Sequence, residues 1–111
     1  MPVLKSRDIL SDLVAFDTTT RNSNLELIAY VEAYLSQFGI PSRRIFNDDR
    51  TKASLWATVG PDGDGGLILN GHTDCVPVDG QQWTSPPFVL TERDGRLHGR
   101  DGARREGDRS P

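Results

Sequence analysis

Two side chains in this 111-residue sequence have the types and the spacing for chemistry: His72 and Asp74. They follow an apolar run, Leu67-Ile68-Leu69, and an Asn70-Gly71 pair, and they precede Cys75-Val76-Pro77. Residues i and i+2 of an extended segment point to one side. An imidazole there can offer one ring nitrogen to a metal while a carboxylate holds the other and fixes the tautomer. The same pair can do general acid–base work without a metal. Spacing alone leaves both chemistries open, beside a plain hydrogen-bonded surface pair. A strand end holds a ligand more rigidly than a loop does. Residues 66–70 read as such a strand, apolar throughout as in sheets covered on both faces.

The rest of the chain must position that stretch. Residues 6–16 carry Ile9, Leu10, Leu13 and Val14 at helical spacing, with Ser6 as N-cap. Asp17-Thr18-Thr19-Thr20 favours a loop, because Asx and β-branched residues compete with helix. Its role is open between a plain polar loop and a contact on the substrate side. Residues 25–38 predict the clearest helix, with Leu25, Ile28, Val31, Leu35 and Phe38 along one face. Ser23 and Glu26 form a capping-box pattern, Gly39 sits at C′, and Pro41 prevents resumption. Tyr30 and Tyr34 belong to this helix and suggest no cofactor role.

Residues 42–47 and 53–59 predict strands, the second alternating Leu55, Ala57 and Val59 against Ser54, Trp56 and Thr58. Residues 60–66 read as turn from end to end, and their acids lack the later Glu of an EF-hand. Prolines keep residues 85–88 extended. Residues 88–91 and 97–100 read as arms of a hairpin around Asp94-Gly95. Helix, helix, strand, strand, strand and hairpin predict an α/β fold with helices packed on a mixed β-sheet.

Composition narrows the function classes. A formal net charge of -3 gives no nucleic-acid footprint, so no nucleic-acid partner is expected. No apolar run approaches a membrane span, and no membrane partner is expected. Residues 1–10 include Lys5, Arg7 and Asp8 and lack the apolar core of a secretory signal. Cys75 is the one cysteine, so there is no internal disulfide, and a cytoplasmic location is expected.

The segment Gly71-His72-Thr73-Asp74-Cys75-Val76-Pro77-Val78-Asp79-Gly80-Gln81 resembles the first metal-site segment of the zinc-dependent aminoacylase and carboxypeptidase family. Trp83, Pro87-Phe88, Leu90, Asp94-Gly95-Arg96-Leu97 and Gly99-Arg100 extend the likeness, as do residues 13–18 and 21–25 upstream. The resemblance covers residues 7 to 100. It implies an incomplete α/β catalytic domain over residues 1–100 of a dinuclear zinc hydrolase, with two zinc or cobalt ions and an N-acylated amino acid as small-molecule substrate. Family members also carry a lid that makes homodimers. By the resemblance, His72 is a metal ligand and Asp74 the catalytic carboxylate that orients it. A general-base Glu, a bridging Asp and further ligands come from later segments. Cys75 stands where a small apolar residue is usual and reads as packing. His98 stands where Tyr is usual, and a single His fixes no metal site. Trp83 and Phe88 read as loop packing.

After Arg100 the family continues with three residues and then an Asp-x-Lys-Gly whose Asp bridges the metals. Here residues 101–111 read Asp-Gly-Ala-Arg-Arg-Glu-Gly-Asp-Arg-Ser-Pro, a composition expected to be disordered. Codon arithmetic permits a frame shifted by one base to spell Asp-Val-Lys-Gly over positions 104–107, although the shifted codon at 101 cannot give the family's Gly. The expectation is therefore a divergent, frameshifted tail and a chain that is inactive by itself.

Overall fold

The computed structural model describes residues 4–75, 77–79 and 86–99. The chain forms two compact units, one from Ser23–Asp74 and one from the described parts of Pro2–Asn22 and Cys75–Pro111.

The first unit is a helix on a hairpin. Its helix, α2, spans Leu25–Ser36, and β1 (Ser42–Phe46) pairs antiparallel with β2 (Ala53–Ala57). The register runs from Ser42 opposite Ala57 to Phe46 opposite Ala53. Leu27, Ile28 and Ala53 are the buried apolar residues here. Helical periodicity placed Ile28 correctly, missed Leu27, and put Phe38 in the core, where it is instead half-exposed and edge-on to Tyr34. The helix ends as the sequence predicts. Gly39 has φ +72°, its N–H reaches the Ser36 carbonyl at 3.0 Å, and the Ile40 N–H reaches the Leu35 carbonyl at 3.1 Å. That is the Schellman arrangement, which satisfies the last carbonyls of the helix.

A bidentate ion pair clasps α2 to β1. Arg44 Nε donates to Glu32 Oε2 at 2.8 Å, and Arg44 Nη2 donates to Oε1 at 2.6 Å. Hydrogen bonding to Arg44 holds the Glu32 carboxyl below its usual range. In the 47–52 connection, Asp49 accepts from the Thr51 hydroxyl and amide, which lowers its carboxyl too. Arg50 takes φ 59° there and lays its guanidinium 3.9 Å from the centre of the Phe46 ring.

The second unit holds α1 (Ser6–Ala15) and a hairpin of β3 (Thr91–Arg93) with β4 (Arg96–His98). Asp94 and Gly95 take φ of 55° and 74°. Positive φ at both central residues is the type I′ turn that Asp-Gly predicts, and its twist suits two paired strands. Val14 is buried on α1, and Gly99 lies so close that an added Cβ would meet Val14 Cγ1 at 3.1 Å. Arg7 and Glu92 pair at 2.6 Å on the surface.

Three expectations change. Helix α1 begins after Lys5, so Ser6 lies inside the helix and is not its cap. At α2 the N-cap is Asn24, and Ser23 Oγ accepts from the Leu25 N–H, the residue after the cap, so the capping box does not form as read. The largest change concerns residues 66–70. They form no strand, and Leu67, Ile68 and Leu69 are 85%, 75% and 87% exposed. An apolar strand needs hydrogen-bonding neighbours and cover on both faces, and the described residues supply neither. The sheets are accordingly two separate antiparallel pairs among the described residues rather than one mixed sheet. No described helix is long and apolar enough to cross a membrane. Residues 101–111 and Trp83 lie outside the described residues.

Candidate functional site

His72 and Asp74 lie in the extended stretch at the end of the first unit, on residues with no regular secondary structure. Their i, i+2 spacing lets the two side chains lie on one side. His72 Nδ1 lies 2.9 Å from Asp74 Oδ1 and 3.0 Å from the Asp74 carbonyl oxygen. Both partners are oxygen acceptors, so Nδ1 carries the proton and donates. That tautomer puts the basic lone pair on Nε2. Both side chains are more than half exposed.

Burial alternates along the motif: His72 exposed, Thr73 half-buried, Asp74 exposed. The inward residue is held by Asn24. The Asn24 Nδ2 donates to the Thr73 hydroxyl at 3.2 Å and to the Ala53 carbonyl at 2.9 Å, and Asn24 Oδ1 accepts from the Ala53 N–H at 3.0 Å. One side-chain amide thus ties the residue between His72 and Asp74 to the first residue of β2. Neither Asn24 nor Thr73 was singled out for such a role by spacing or composition.

In the second unit the 17–20 loop receives the next residue, Cys75. Thr19 and Cys75 form an isolated parallel bridge. The Cys75 N–H donates to the Thr18 carbonyl at 3.2 Å, and the Cys75 carbonyl accepts from the Thr20 N–H at 3.0 Å and the Thr20 hydroxyl at 3.2 Å. Asp17 Oδ1 accepts from the Thr19 hydroxyl at 2.6 Å and the Thr19 N–H at 3.2 Å, an Asx turn that shapes the loop. Thr18, Thr19 and Cys75 are buried, and the Cys75 thiol sits 3.6 Å from the Thr18 hydroxyl. The packing expected of Cys75 is thus what the structure has. Arg21 pairs with Asp79 at 3.2 Å farther along the motif. An Asp-Thr-Thr-Thr run signals a loop; what it did not signal is the strand-like docking that gives the loop its work.

A metal would find one well-prepared donor here, His72 Nε2, backed by a carboxylate. No group of three His, Cys, Asp or Glu side chains converges among the described residues. His98, on β4, pairs across the hairpin with Thr91 of β3. The donor set therefore fits one ligand and its orienting partner, and does not complete a coordination shell.

Comparison with known proteins falls on the same stretch. Residues 68–104 match peptidase family M20/M25/M40. The chain is 43% identical over 86 residues to an acetylornithine deacetylase of Proteus mirabilis (strain HI4320), covering 77% of this chain and 22% of the relative. It is 45% identical over 78 residues to that of Pasteurella multocida (strain Pm70), 69% of this chain and 20% of the relative. With that of Myxococcus xanthus it shares 43% identity over 105 residues, 90% of this chain and 27% of the relative. The chain thus spans about a quarter or less of these relatives' length.

Proposed function

From the likeness to peptidase family M20/M25/M40 and to the acetylornithine deacetylases, we propose that this chain is the N-terminal part of the catalytic domain of a metal-dependent amide hydrolase, over residues 1–100. The proposed reaction is hydrolysis of N-acetylornithine to ornithine and acetate, a step of arginine biosynthesis, in the cytoplasm. The observation that carries the reading is the 2.9 Å bond from His72 Nδ1 to the Asp74 carboxylate, which readies Nε2 as a ligand. Zinc, the proposed metal, with cobalt as its substitute, would supply Lewis-acid polarisation of the amide and a nucleophile from water at neutral pH. His72 would hold it through Nε2. Asp74 keeps the imidazole in one tautomer and orientation. Thr73 turns inward and leaves both neighbours facing out.

A desuccinylase acting on succinyl-diaminopimelate is the nearest alternative substrate reading, and the Val78-Asp79-Gly80-Gln81 segment argues against it. A second reading has its own observation. The exposed Leu67-Ile68-Leu69 run favours a non-catalytic piece that pairs with a partner chain carrying further strands.

A chimera tests the leading reading. Residues 1–100 replace the matching segment of the Myxococcus xanthus relative, and acetate release from N-acetylornithine is followed with added zinc. The expected result is zinc-dependent hydrolysis that is abolished by His72→Ala and reduced about 10–100-fold by Asp74→Ala, the usual cost of losing a partner of a metal-bound histidine. A folded chimera that hydrolyses equally well with and without His72 would overturn the assignment.

A further inference from the structure

We propose that Asn24 is the positioning residue of the His72–Asp74 pair and acts through Thr73; the proposal deepens the metal-ligand reading and rests on it. The orientation of the Asn24 amide is settled by its surroundings. The Ala53 N–H needs an acceptor and the Ala53 carbonyl needs a donor, so Oδ1 must face the first and Nδ2 the second. With the amide fixed that way, Nδ2 has its second hydrogen available for Thr73, whose hydroxyl lies 3.2 Å away. Both N–H donors and the carbonyl oxygen of the side chain are then used, on two backbone groups and one hydroxyl.

What Asn24 does not do points the same way. It occupies the N-cap of α2, yet its side chain makes no cap bond. An N-cap asparagine ordinarily accepts from its own helix. Here the side chain is committed instead to β2 and the motif. The consequence is geometric. Residues 66–74 belong to no strand, and the Asn24 bond is a side-chain tie that reaches the motif from another element. The bond to Thr73 fixes the inward side of the motif. By the two-residue alternation of extended chain, His72 and Asp74 then project together on the outward side, close enough to pair. Rotating Thr73 away from Asn24 would turn both neighbours, and the pair would no longer be held to one tautomer.

The test uses the whole chain and reads the imidazole directly. Long-range proton–nitrogen NMR correlations of His72, assigned with His72→Gln, report which ring nitrogen carries the proton at a pH where the ring is neutral. The wild type is expected to show the Nδ1–H form. Thr73→Val removes the hydroxyl and leaves the two Asn24–Ala53 bonds intact, so backbone amide signals of β1 and β2 stay in place. His72 is expected to move toward the mixture of a free histidine side chain, which favours Nε2–H. Thr73→Ser restores the wild-type signature. Asn24→Leu, which removes the tie to Thr73 together with both Ala53 bonds, is expected to match Thr73→Val at His72. A wild-type Nδ1–H signature retained in Thr73→Val would overturn the proposal, as would a wild-type His72 found in the Nε2–H form. The chimera described above separates the two ideas. Zinc-dependent hydrolysis unchanged by His72→Ala would sink the ligand reading, while a tautomer switch in Thr73→Val would still uphold the positioning role of Asn24.

Discussion

Given zinc and N-acetylornithine, the 111-residue polypeptide by itself is expected to release acetate no faster than a protein-free control. Hydrolysis of an amide at a metal centre requires the metal to be held by several ligands and a base to take a proton from water. Among the described residues His72 is paired with Asp74, and no group of three His, Cys, Asp or Glu side chains converges. An imidazole with one carboxylate behind it binds zinc too weakly to retain it in a fixed place. The pair alone is not a hydrolase, since positioned general acid–base catalysis contributes only about 10²–10⁴-fold. Because the chain matches 27% or less of each relative described above, the remaining groups are sought in later segments. His72→Ala should leave the already negligible rate unchanged. Zinc-dependent acetate release from the purified polypeptide, lost in His72→Ala, would show that the chain completes a site by itself.

The second large effect is association. Leu67, Ile68 and Leu69 are apolar, outside any strand and largely exposed. Trp56, Ile45 and Val59 of the same unit are also more than half exposed. An uncharged run of this kind without proline is a template for strand pairing with another chain. Sedimentation equilibrium at concentrations of about 10 μM and above, where exposed strands begin to associate, should give a mass above that of the monomer. Ile68→Lys places a charge at the centre of the run and should return the chain to monomer without touching α2, β1 or β2. A wild type that stays monomeric at every concentration tested would count against the association. It would also weaken the reading in which this run seats a partner's strand.

Much of the architecture was legible because it depends on local chemistry. The Asp94-Gly95 turn needs only two residues that tolerate positive φ, and the hairpin followed, with arms at Thr91–Arg93 and Arg96–His98 instead of 88–91 and 97–100. The Gly39 stop needs only a glycine where the helix must reverse its φ. Residues 42–47 and 53–59 read as strands and β1 and β2 form within those bounds, but their pairing as a separate antiparallel sheet was not read from the sequence. Residues 66–70 defeated the same logic. Their apolar character says what environment they require, but a strand exists only when neighbours offer a ladder, and periodicity does not name neighbours. The pairing of His72 with Asp74 was readable because an i, i+2 relation is local. Its supports were not. Asn24 lies 49 residues from Thr73, and Thr20 lies 55 residues from Cys75, so only the folded chain joins them.

The exposed stretch ahead of the motif also sets how the molecule ages. Asn70 and Gly71 are both exposed, outside any strand, and nothing stands within 4 Å of a Cβ placed on Gly71. With so little around it, the Gly71 amide nitrogen can reach the Asn70 side-chain carbon, close a five-membered imide and expel ammonia. Water then reopens the ring to aspartate or isoaspartate. The isoaspartate form carries one additional methylene in its main chain and a new negative charge, two residues before His72. Strand pairing would slow that chemistry by holding the peptide flat. The chain thus carries a chemical clock beside the His72–Asp74 pair, and the clock runs for as long as residues 66–71 remain outside a strand.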